Sequence, residues 1–561
     1  MLPATRSAAG VAYCRVPDTR LTEPAWIHPA PRPPAAEPDA RQRLDFAGFP
    51  NAAAIDTAEA DGSPSQRVLV TYSRNADAVM ESYKSAEAAS TDGGLTFGAP
   101  ADTPLREAPI QLHDGGLFAT AYYLTRQDEH TNRLGVFTSP GLGQPWTRTE
   151  ATFTSPGELV GGGVAHGLPI QLADGTILVS VYTRYTDTGK HQAEVYASAD
   201  GGRTFNRRGV IARPSGVHVY NEAAIEQTAD GSLLAVLRRE GGQYATLATS
   251  RSADGGVTWS PVRELTFDGK DCVVRGVAPR LLLMPGGTLV LSAGRPDVWL
   301  ALSPDGLGET WEDPRVTYHN RDGVYDAHGT SGYTGIAAVG PHRLLQVFDN
   351  CKLPGLLPGG GLNETACPDS GLFEHGSWYG IRHRTIDLPE PAPGRLDLAA
   401  LHRSGTLTVE STMTWSSPSR PRTRAEGAFD GSTAYWSGAV AAGGPGTLTL
   451  GFGKRQRFTR LGLSLRPGHP ASARVYVSDD GVSWGEPVAT VTDRTDYALR
   501  HVTFDPPVRG RHVRIVAEES SGCDPEIGAT CAMLNEVELY AKPRKKLLTG
   551  NLTELDNTIF D

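Results

Sequence analysis

The sequence predicts an all-β protein in which a six-bladed β-propeller is followed by a β-sandwich. Three observations support this fold class. The 561 residues include 64 Gly and 41 Pro, which is typical of a chain with many turns and little helix. A short motif recurs about every 50 residues through the first two thirds of the chain. After Leu388 that register stops, and short runs of alternating apolar and polar residues follow, as in a β-sandwich.

The recurring motif reads Ser-x-Asp-Gly-Gly-x-Thr-Phe/Trp. It begins at Ser90, Ser198 and Ser252, with altered copies at Ser139 and Ser303. Asp-Gly-Gly favours a tight hairpin turn, because glycine adopts positive φ and the carboxylate accepts nearby backbone N–H groups. The final aromatic residue packs between strands. We therefore interpret these boxes as structural elements that lie away from the functional site.

A second repeat lies between the boxes, and each copy is an apolar strand, a turn and another apolar strand. The copies span residues 51–72, 109–122, 169–182, 223–237, 279–291 and 331–348. Six such units predict six blades, and we expect the N-terminal segment to add the outer strand that closes the ring. The predicted organisation is an arm at 1–44, a propeller at 45–388, a linker at 389–400, a sandwich at 401–541 and a tail at 542–561.

Charge and composition exclude several classes of function. The formal net charge is −10 and no basic cluster of the required size is present, which argues against nucleic acid as a partner. No apolar run approaches the roughly 18–20 residues of a membrane span. The chain contains no HExxH motif, no phosphate-binding loop and no GxSxG elbow, so we expect no cofactor for catalysis.

The six cysteines bear on the cellular compartment. Cys351 and Cys367 frame one short segment, Cys523 and Cys531 frame another, and Cys14 and Cys272 are left over. Close pairs in an even total favour disulfides and a secreted, extracellular protein, whereas the alternative is six buried thiols. The first ten residues lack the apolar run of a signal peptide, so a leader was removed, or export follows another route, or the protein stays inside the cell.

The two regions resemble known families. The repeated box resembles the Asp box of the sialidase (neuraminidase) superfamily, a similarity that covers residues 45–388. The second region resembles a discoidin, or coagulation-factor type C, carbohydrate-binding module through residues 428–436, 475–484 and 532–540. Asp boxes also occur in propellers without sialidase activity, so the function has to be argued from the site.

The resemblance to sialidases implies a catalytic site. Members of that superfamily bind the sugar carboxylate with three arginines, attack with a tyrosine activated by a glutamate, and protonate the leaving group with an aspartate. By position, Glu222 resembles the activating base, Arg238 the second arginine, Arg295 the third arginine and Tyr333 the nucleophile. A neutral tyrosine nucleophile suits an anionic sugar, because it avoids charge repulsion.

Two parts of the sialidase pattern differ here. The segment 48–54, which corresponds to the first arginine, contains none, so either the sugar is not sialic acid or another residue such as Arg74 replaces that arginine. The loop 74–81 offers Asp77 or Glu81 as the acid, and we choose Asp77. His166 and His328 fall at strand starts that face the centre. They suit substrate binding and, together with Glu222, a neutral-sugar or lyase site.

The resemblance to discoidin modules implies further candidates. Trp415, Tyr435 and Trp436 would stack on a sugar ring or, alternatively, fill the core of the sandwich. Asp430 and Glu536 would hold a structural Ca²⁺ through their carboxylates.

Three functions are consistent with the sequence. The first is a secreted exo-glycosidase that releases a terminal α-linked, acidic sugar with retention through Tyr333. The second keeps the propeller but acts on a neutral sugar or eliminates at a uronic acid. The third is a glycan-binding propeller without catalysis. All three have a glycan as partner, and the number of subunits stays open.

Overall fold

The structure is a computed structural model of the chain. It describes residues 5–6, 12–14, 16, 24–31, 47–58, 64–75, 84–267, 271–295, 297–318, 331–350, 377–391, 394–417, 420, 423–431, 433, 438–465, 471–494, 499–521, 523 and 526–541. Several predicted residues lie outside these ranges: Asp77, Glu81, His328, Cys351, Cys367, Tyr435, Trp436 and the tail at 542–561.

The described part of the chain is built almost entirely of strands, so the prediction of an all-β protein is confirmed. The N-terminal strands are β1 (Thr5–Arg6), β2 (Ala12–Tyr13) and β3 (Ala25–Pro31). The first two repeat units contain β4 (Gly48–Ala58), β5 (Pro64–Ser73), β6 (Ser85–Ser90), β7 (Ala101–Thr103), β8 (Ile110–Gln111), β9 (Leu117–Thr120), β10 (Tyr123–Arg126), β11 (Thr131–Ser139) and β12 (Thr147–Thr154). The third and fourth contain β13 (Leu159–Ala165), β14 (Ile170–Gln171), β15 (Ile177–Tyr185), β16 (His191–Ser198), β17 (Thr204–Ala212), β18 (Val219–Gln227), β19 (Leu233–Glu240), β20 (Thr246–Ser252) and β21 (Arg263–Glu264).

The remaining elements complete the propeller and form the C-terminal region. The fifth and sixth units contain β22 (Val277–Leu283), β23 (Leu289–Gly294), β24 (Val298–Ser303), β25 (Glu312–Tyr318), β26 (Thr334–Gly340), β27 (Arg343–Asp349) and β28 (Ser377–Asp387). The C-terminal region contains α1 (Leu398–Arg403), β29 (Leu407–Ser411), a 3₁₀ turn (Ala425–Phe429), β30 (Ala439–Ala442), β31 (Gly446–Leu465), β32 (Ala471–Ser478), β33 (Ala489–Arg494), β34 (Arg500–Ala517), β35 (Ser520–Ser521) and β36 (Thr530–Ala541).

Four of the repeat units form separate four-stranded antiparallel sheets. Their strand orders are β4-β5-β6-β7, β18-β19-β20-β21, β22-β23-β24-β25 and β26-β27-β28-β3. In the last sheet the N-terminal strand β3 pairs with β28, with His28 opposite Ile381, so the predicted outer strand from the N-terminus is present. The first strands of neighbouring units lie side by side, and β26 contacts β4. The units therefore surround a common axis.

The second and third units differ from the prediction of separate blades. They share one ten-stranded sheet, in which β10, β13, β15, β16, β17, β12 and β11 pair in turn and β11 pairs back with β10, which closes a seven-stranded barrel. Two pairings join the units: β10 with β13, and the parallel pair β12 with β17. The count of six blades stays a prediction.

The Asp boxes have the structural role that the sequence indicates. In the copy at Ser198, the serine hydroxyl donates to Asp200 Oδ1 at 2.7 Å and accepts from Gly202 N at 2.9 Å. Asp200 also accepts the Thr204 hydroxyl at 2.7 Å, and Phe205 is fully buried. The boxes at Ser90, Ser252 and Ser303 follow the third strand of their sheets, at the opposite end from the start of the first strand.

The C-terminal region is the predicted β-sandwich. Its main sheet runs β30-β36-β31-β34-β32-β33, and β29 pairs with β31. The long strands β31 and β34 pair along both of their halves across a register shift between Gly451 and Gln456, so each contributes to more than one part of the sheet. Buried leucines, valines and phenylalanines between the strands form one continuous core.

Disulfides connect two pairs of cysteines in the described ranges. Cys523 and Cys531 form the predicted pair at 2.07 Å. Cys14 and Cys272, which the sequence leaves over, are also joined, at 2.01 Å, and they link the N-terminal segment to the start of the fifth unit. No helix of the described residues is long and apolar enough to cross a membrane.

Candidate active site

One position at the start of the first strand recurs from unit to unit and supplies the site. Gln111, Gln171, Gln227 and Leu283 each pair with the residue six positions later, so they mark the same point of each unit. The residues five positions before these points are, in chain order, Arg106, His166, Glu222 and Ala278. The matching bulge in the first unit places Phe49 at this position.

The backbone at this recurring position is unusual. Phe49, Glu222 and Ala278 have positive φ angles of 54°, 42° and 44°, and each lies within a register shift of its strand pair. Residues with a Cβ rarely adopt such angles, and strain of this kind concentrates at functional sites. The bulge turns the side chain of each unit away from the ladder and towards its neighbours around the axis.

The centre of the site is a contact between Tyr333 and Glu222. The Tyr333 hydroxyl donates to Glu222 Oε1 at 2.5 Å, and both residues are buried. Burial and the adjacent Glu222 carboxylate hold the pKa of Tyr333 well above its ordinary value, so the phenol keeps its proton in the resting protein. The two residues come from units two apart in sequence, and the structure places these two predicted residues in contact.

Glu222 is ionised although it is buried. Burial opposes its charge, but the Arg238 guanidinium, His166 and the hydrogen bond from Tyr333 lower its pKa to about 2. Arg238 Nη1 lies 3.2 Å from Oε1, and the backbone N–H of Ala278 donates to Oε2 at 2.9 Å. The carboxylate is therefore a proton acceptor that stands ready for the Tyr333 hydroxyl.

The two predicted substrate-binding arginines are both engaged within the protein. Arg238 contacts Glu240 as well, with Nη2 2.6 Å from Oε1. Burial opposes the charge of Arg238, but the Glu222 and Glu240 carboxylates raise its pKa overall. Arg295, with a φ of +64°, donates from Nη2 to the carbonyl of Ser331 at 2.8 Å.

Asp349 fixes the segment that carries Tyr333. Its carboxylate accepts the backbone N–H of Ser331 at 2.6 Å, the Ser331 hydroxyl, and the backbone N–H of Phe49 at 2.9 Å. The Ser331 hydroxyl in turn accepts the N–H of Tyr333 at 3.1 Å. Burial raises the pKa of Asp349 to about 6 against the opposing effect of these hydrogen bonds and of Arg295. Asp349 therefore ties the first and sixth units together beside Tyr333.

A buried ion-pair chain lies beside this pair. Glu107 bridges two arginines, with Oε1 3.2 Å from Arg106 Nη1 and Oε2 3.2 Å from Arg280 Nη2. Arg280 also contacts Asn51, and Arg106 donates to the Phe49 carbonyl at 3.0 Å. The Arg106 guanidinium lies 5.6 Å from the centre of the Phe49 ring, which suits a cation–π contact.

His166 and Tyr122 complete the surroundings of Tyr333. The His166 ring lies 5.8 Å from the Tyr333 ring, and the Tyr122 hydroxyl lies 3.4 Å from that of Tyr333. His166 is 1% exposed, and neither of its ring nitrogens has a hydrogen-bond partner among the described residues. Burial and the nearby Arg280 lower its pKa to about 3, so the imidazole is neutral.

Other candidates lie elsewhere. Arg74 pairs with Asp102 at 3.3 Å and takes no part in the hydrogen-bonded group around Tyr333 within the described ranges. Trp415 is partly buried and packs against the cluster around the Cys523–Cys531 disulfide, which favours the core role. Glu536 is buried, and burial together with the Asp430 carboxylate raises its pKa well above the ordinary value.

Comparison with known families agrees with the two regions. A family model described as a BNR repeat-like domain matches residues 126–326. A second, described as an F5/8 type C domain, matches residues 411–532. The chain therefore contains a BNR repeat-like domain and a C-terminal F5/8 type C domain. No curated protein sequence matches it.

Solved structures similar to each region of this BNR–F5/8 type C protein are known. A Dyadobacter fermentans protein of unknown function is 16% identical, with a TM-score of 0.47, and the match covers 67% of this chain and 100% of that one. An α-L-arabinanase of Penicillium chrysogenum, complexed with arabinobiose, is 12% identical with a TM-score of 0.41, over 65% and 99% of the two chains. The family 32 CBM from C. perfringens NanJ, in complex with galactose, is 18% identical with a TM-score of 0.21, over 26% and 98%.

Sequence reasoning missed Arg106, Glu107, Arg280 and Asp349. Arg106 carries a detectable signal, because it stands five residues before Gln111, as His166 and Glu222 stand before their own glutamines. Asp349 carries no such signal, since its partners Phe49 and Ser331 become neighbours only when the first and last units meet.

Proposed function

We propose that this protein is a retaining exo-glycosidase that uses Tyr333 as nucleophile and Glu222 as its base. The observation that carries the proposal is the 2.5 Å hydrogen bond from the Tyr333 hydroxyl to an ionised, buried carboxylate. A nucleophile within hydrogen-bond reach of its base, with the base oriented by a third group, is the arrangement required for covalent catalysis. Arg238 is that third group, at 3.2 Å from Glu222.

In the first step the Tyr333 oxygen bonds to the anomeric carbon as the glycosidic carbon–oxygen bond breaks. The phenolic proton passes to Glu222, and the leaving oxygen takes a proton from the acid, for which Asp77 is the predicted residue. In the second step water attacks the anomeric carbon and releases Tyr333, which recovers its proton from Glu222, while the water proton passes to Asp77. Two displacements at one carbon retain its configuration.

The ionisation states of Glu222 and Tyr333 suit these two reaction steps. Glu222, with a pKa of about 2, is a carboxylate at neutral pH, and Tyr333 is a phenol. The acidity of the phenol rises only as its oxygen bonds to carbon, so proton transfer accompanies attack and does not precede it. The resting protein therefore carries no exposed phenolate that would react without substrate.

Fluorogenic glycosides test the proposal, with an α-sialoside beside neutral and uronic-acid glycosides. We expect turnover of at least one of them, loss of about 10²–10⁴-fold in kcat for Glu222→Ala, and no turnover for Tyr333→Phe. A fluorinated glycosyl fluoride of the sugar that is cleaved should label the peptide that contains Tyr333, as seen by mass spectrometry. Glycan binding without cleavage of any glycoside would favour the lectin function, and full activity of Tyr333→Phe would refute the nucleophile.

The finer points of architecture are part of the proposal. We infer six blades, the second and third of which are fused through the shared sheet, in a propeller that spans 45–388, followed by a sandwich at 401–541 that holds the enzyme on glycan. We also infer secretion, which two disulfides favour. A complete mass map of the disulfides in protein from its natural host tests the compartment.

We further propose that Asp430 and Glu536 contribute to a structural Ca²⁺ site. Burial and the neighbouring Asp430 carboxylate raise the pKa of Glu536, and a divalent cation would relieve the repulsion between the two carboxylates. No three His, Cys, Asp or Glu side chains of the described residues form a metal site, so backbone carbonyls and water would supply the other ligands. Thermal unfolding with Ca²⁺ and with a chelator tests this, and equal Tm values would refute it.

A further inference from the structure

The charges around Tyr333 are balanced within the protein. The arginines Arg106, Arg238 and Arg280 contact three carboxylates, those of Glu107, Glu222 and Glu240, at separations from 2.6 to 3.2 Å. Arg295 and the Asp349 carboxylate belong to the same group, so four positive charges face four carboxylates. An incoming carboxylate would have to enter this group without a net positive charge to receive it, and an uncompensated buried charge is costly.

The surface beside the nucleophile is aromatic. The Phe49 ring packs edge-on against the Tyr333 ring, with centroids 4.9 Å apart, and Phe49 is held there by Asp349 and Arg106 through its backbone. The Tyr122 hydroxyl lies 3.4 Å from the Tyr333 hydroxyl. A phenyl ring and a protonated phenol suit the C–H face and the hydroxyl groups of a neutral sugar.

His166 adds an independent observation. Its imidazole is 1% exposed, lies 5.8 Å from the Tyr333 ring, and has no hydrogen-bond partner at either nitrogen among the described residues. Buried polar groups are rarely left without partners, so an orphaned ring at this place indicates a ligand. A neutral imidazole donates at one nitrogen and accepts at the other, and a sugar hydroxyl does both as well.

We propose that the site around Tyr333 takes a neutral sugar, and that His166 selects it by exchanging hydrogen bonds with the hydroxyl groups of the ring. This inference rests on the proposed glycosidase function and names its substrate class. It departs from the acidic sugar that the resemblance to sialidases implies. The neutral state of His166 is consistent with it, since burial and Arg280 keep the pKa of the ring at about 3.

The experiment compares the full-length wild type, His166→Phe and His130→Phe on fluorogenic α-sialosides and on galactosides, fucosides, rhamnosides, mannosides and arabinosides. His166→Phe keeps an aromatic ring at this position and removes no side-chain hydrogen bond among the described residues. Because phenyl is larger than imidazole, the Tm of this variant is measured beside that of the wild type to show that the fold accommodates the ring. His130 is exposed and serves as the matched control. We expect cleavage of a neutral glycoside alone, with kcat/KM lower by about 10–100-fold in His166→Phe and unchanged in His130→Phe.

The outcomes separate this inference from the function on which it rests. Cleavage of the sialoside in preference to every neutral glycoside would overturn the neutral-sugar class and leave the glycosidase intact. Unchanged kcat/KM in His166→Phe would overturn the role of His166.

If no glycoside is cleaved, the glycosidase proposal fails and binding decides the sugar class. Saturation-transfer NMR would then compare galactose, fucose and arabinose with N-acetylneuraminic acid. A transfer signal for a neutral sugar that is present in the wild type and absent in His166→Phe supports the inference. A His166-dependent signal for N-acetylneuraminic acid alone, or no His166-dependent signal for any of these sugars, overturns it.

Discussion

Replacement of Glu222 by glutamine tests the electrostatic account of the site. The carboxylate accepts the Tyr333 hydroxyl and Arg238 Nη1 at Oε1 and the Ala278 N–H at Oε2. Glutamine has one acceptor oxygen, so its amide group must face either an N–H or the arginine. The lowering of the Glu222 pKa from 4.5 to about 2 corresponds to about 3 kcal/mol of folding free energy.

The loss of stability in Glu222→Gln should depend on pH in a defined direction. A carboxyl whose pKa is lower in the folded protein stabilises it above the unfolded pKa, and that stability is lost as pH falls through the folded pKa. The destabilisation by Glu222→Gln should therefore be about 3 kcal/mol at pH 7 and shrink to about 1 kcal/mol at pH 3. Urea unfolding of the full chain, with the propeller transition fitted separately, measures both values.

Glu226 lies on the same strand and is a matched control, because its carboxyl pKa is shifted in the opposite direction from that of Glu222. Burial raises its pKa to about 7, so the folded protein resists its ionisation. Glu226→Gln should leave stability unchanged below about pH 4, because the carboxyl is then protonated in both states. It should raise stability increasingly between the unfolded pKa of 4.5 and the folded pKa of about 7, with the full effect above pH 8. Equal destabilisation by Glu222→Gln at pH 7 and pH 3, or the same pH trend in both variants, would refute the reasoning.

Three further predictions concern the scaffold. Asp349→Asn removes an acceptor for N–H groups of Ser331 and Phe49 and should lower kcat about 10–100-fold with KM little changed, as steady-state kinetics on the cleaved glycoside would show; a change confined to KM would contradict its positioning role. Ser252→Ala removes the hydroxyl that accepts the Gly256 N–H at 2.8 Å and should cost about 1–2 kcal/mol in urea unfolding without altering kinetics, whereas an unchanged midpoint would argue against the box as a stabilising turn. Replacing both Cys14 and Cys272 by serine should lower the free energy of unfolding by about 2–5 kcal/mol in urea unfolding, because the bridge closes a loop with a sequence separation of 258 residues in the unfolded chain, and should speed proteolysis near Tyr13; an unchanged midpoint with equal proteolysis rates would contradict this.

The architecture could be predicted because its signals are local. The Asp boxes and their spacing indicate the repeat units, and the loss of that spacing after Leu388 indicates the sandwich. The fusion of the second and third units could not be predicted. It depends on the short strand β10 pairing with β13 and on the parallel contact of Thr152 with Thr204, and neither follows from a period in the sequence.

The site was predictable where one family pattern fixes the spacing. Glu222, Arg238 and Tyr333 come together as that pattern implies, whereas Arg74 is bound to Asp102 outside the group. The partners of Arg280 could not be predicted, because Asn51 and Glu107 reach it from distant units. Such contacts depend on the closing of the ring, and a single sequence carries no record of them.

The pairing of β3 with β28 constrains how the protein is made. The strand that completes the Tyr333 sheet leaves the ribosome early, while its partner emerges only after nearly the whole propeller has been synthesised. Until then β3 has no sheet to join, and the far edge of the last sheet stays open to any other strand. Shielding of β3 during synthesis would therefore protect the sheet that follows Tyr333, although no residue of β3 contacts Tyr333 among the described contacts. A rigid fusion placed directly before β3 would have the opposite effect.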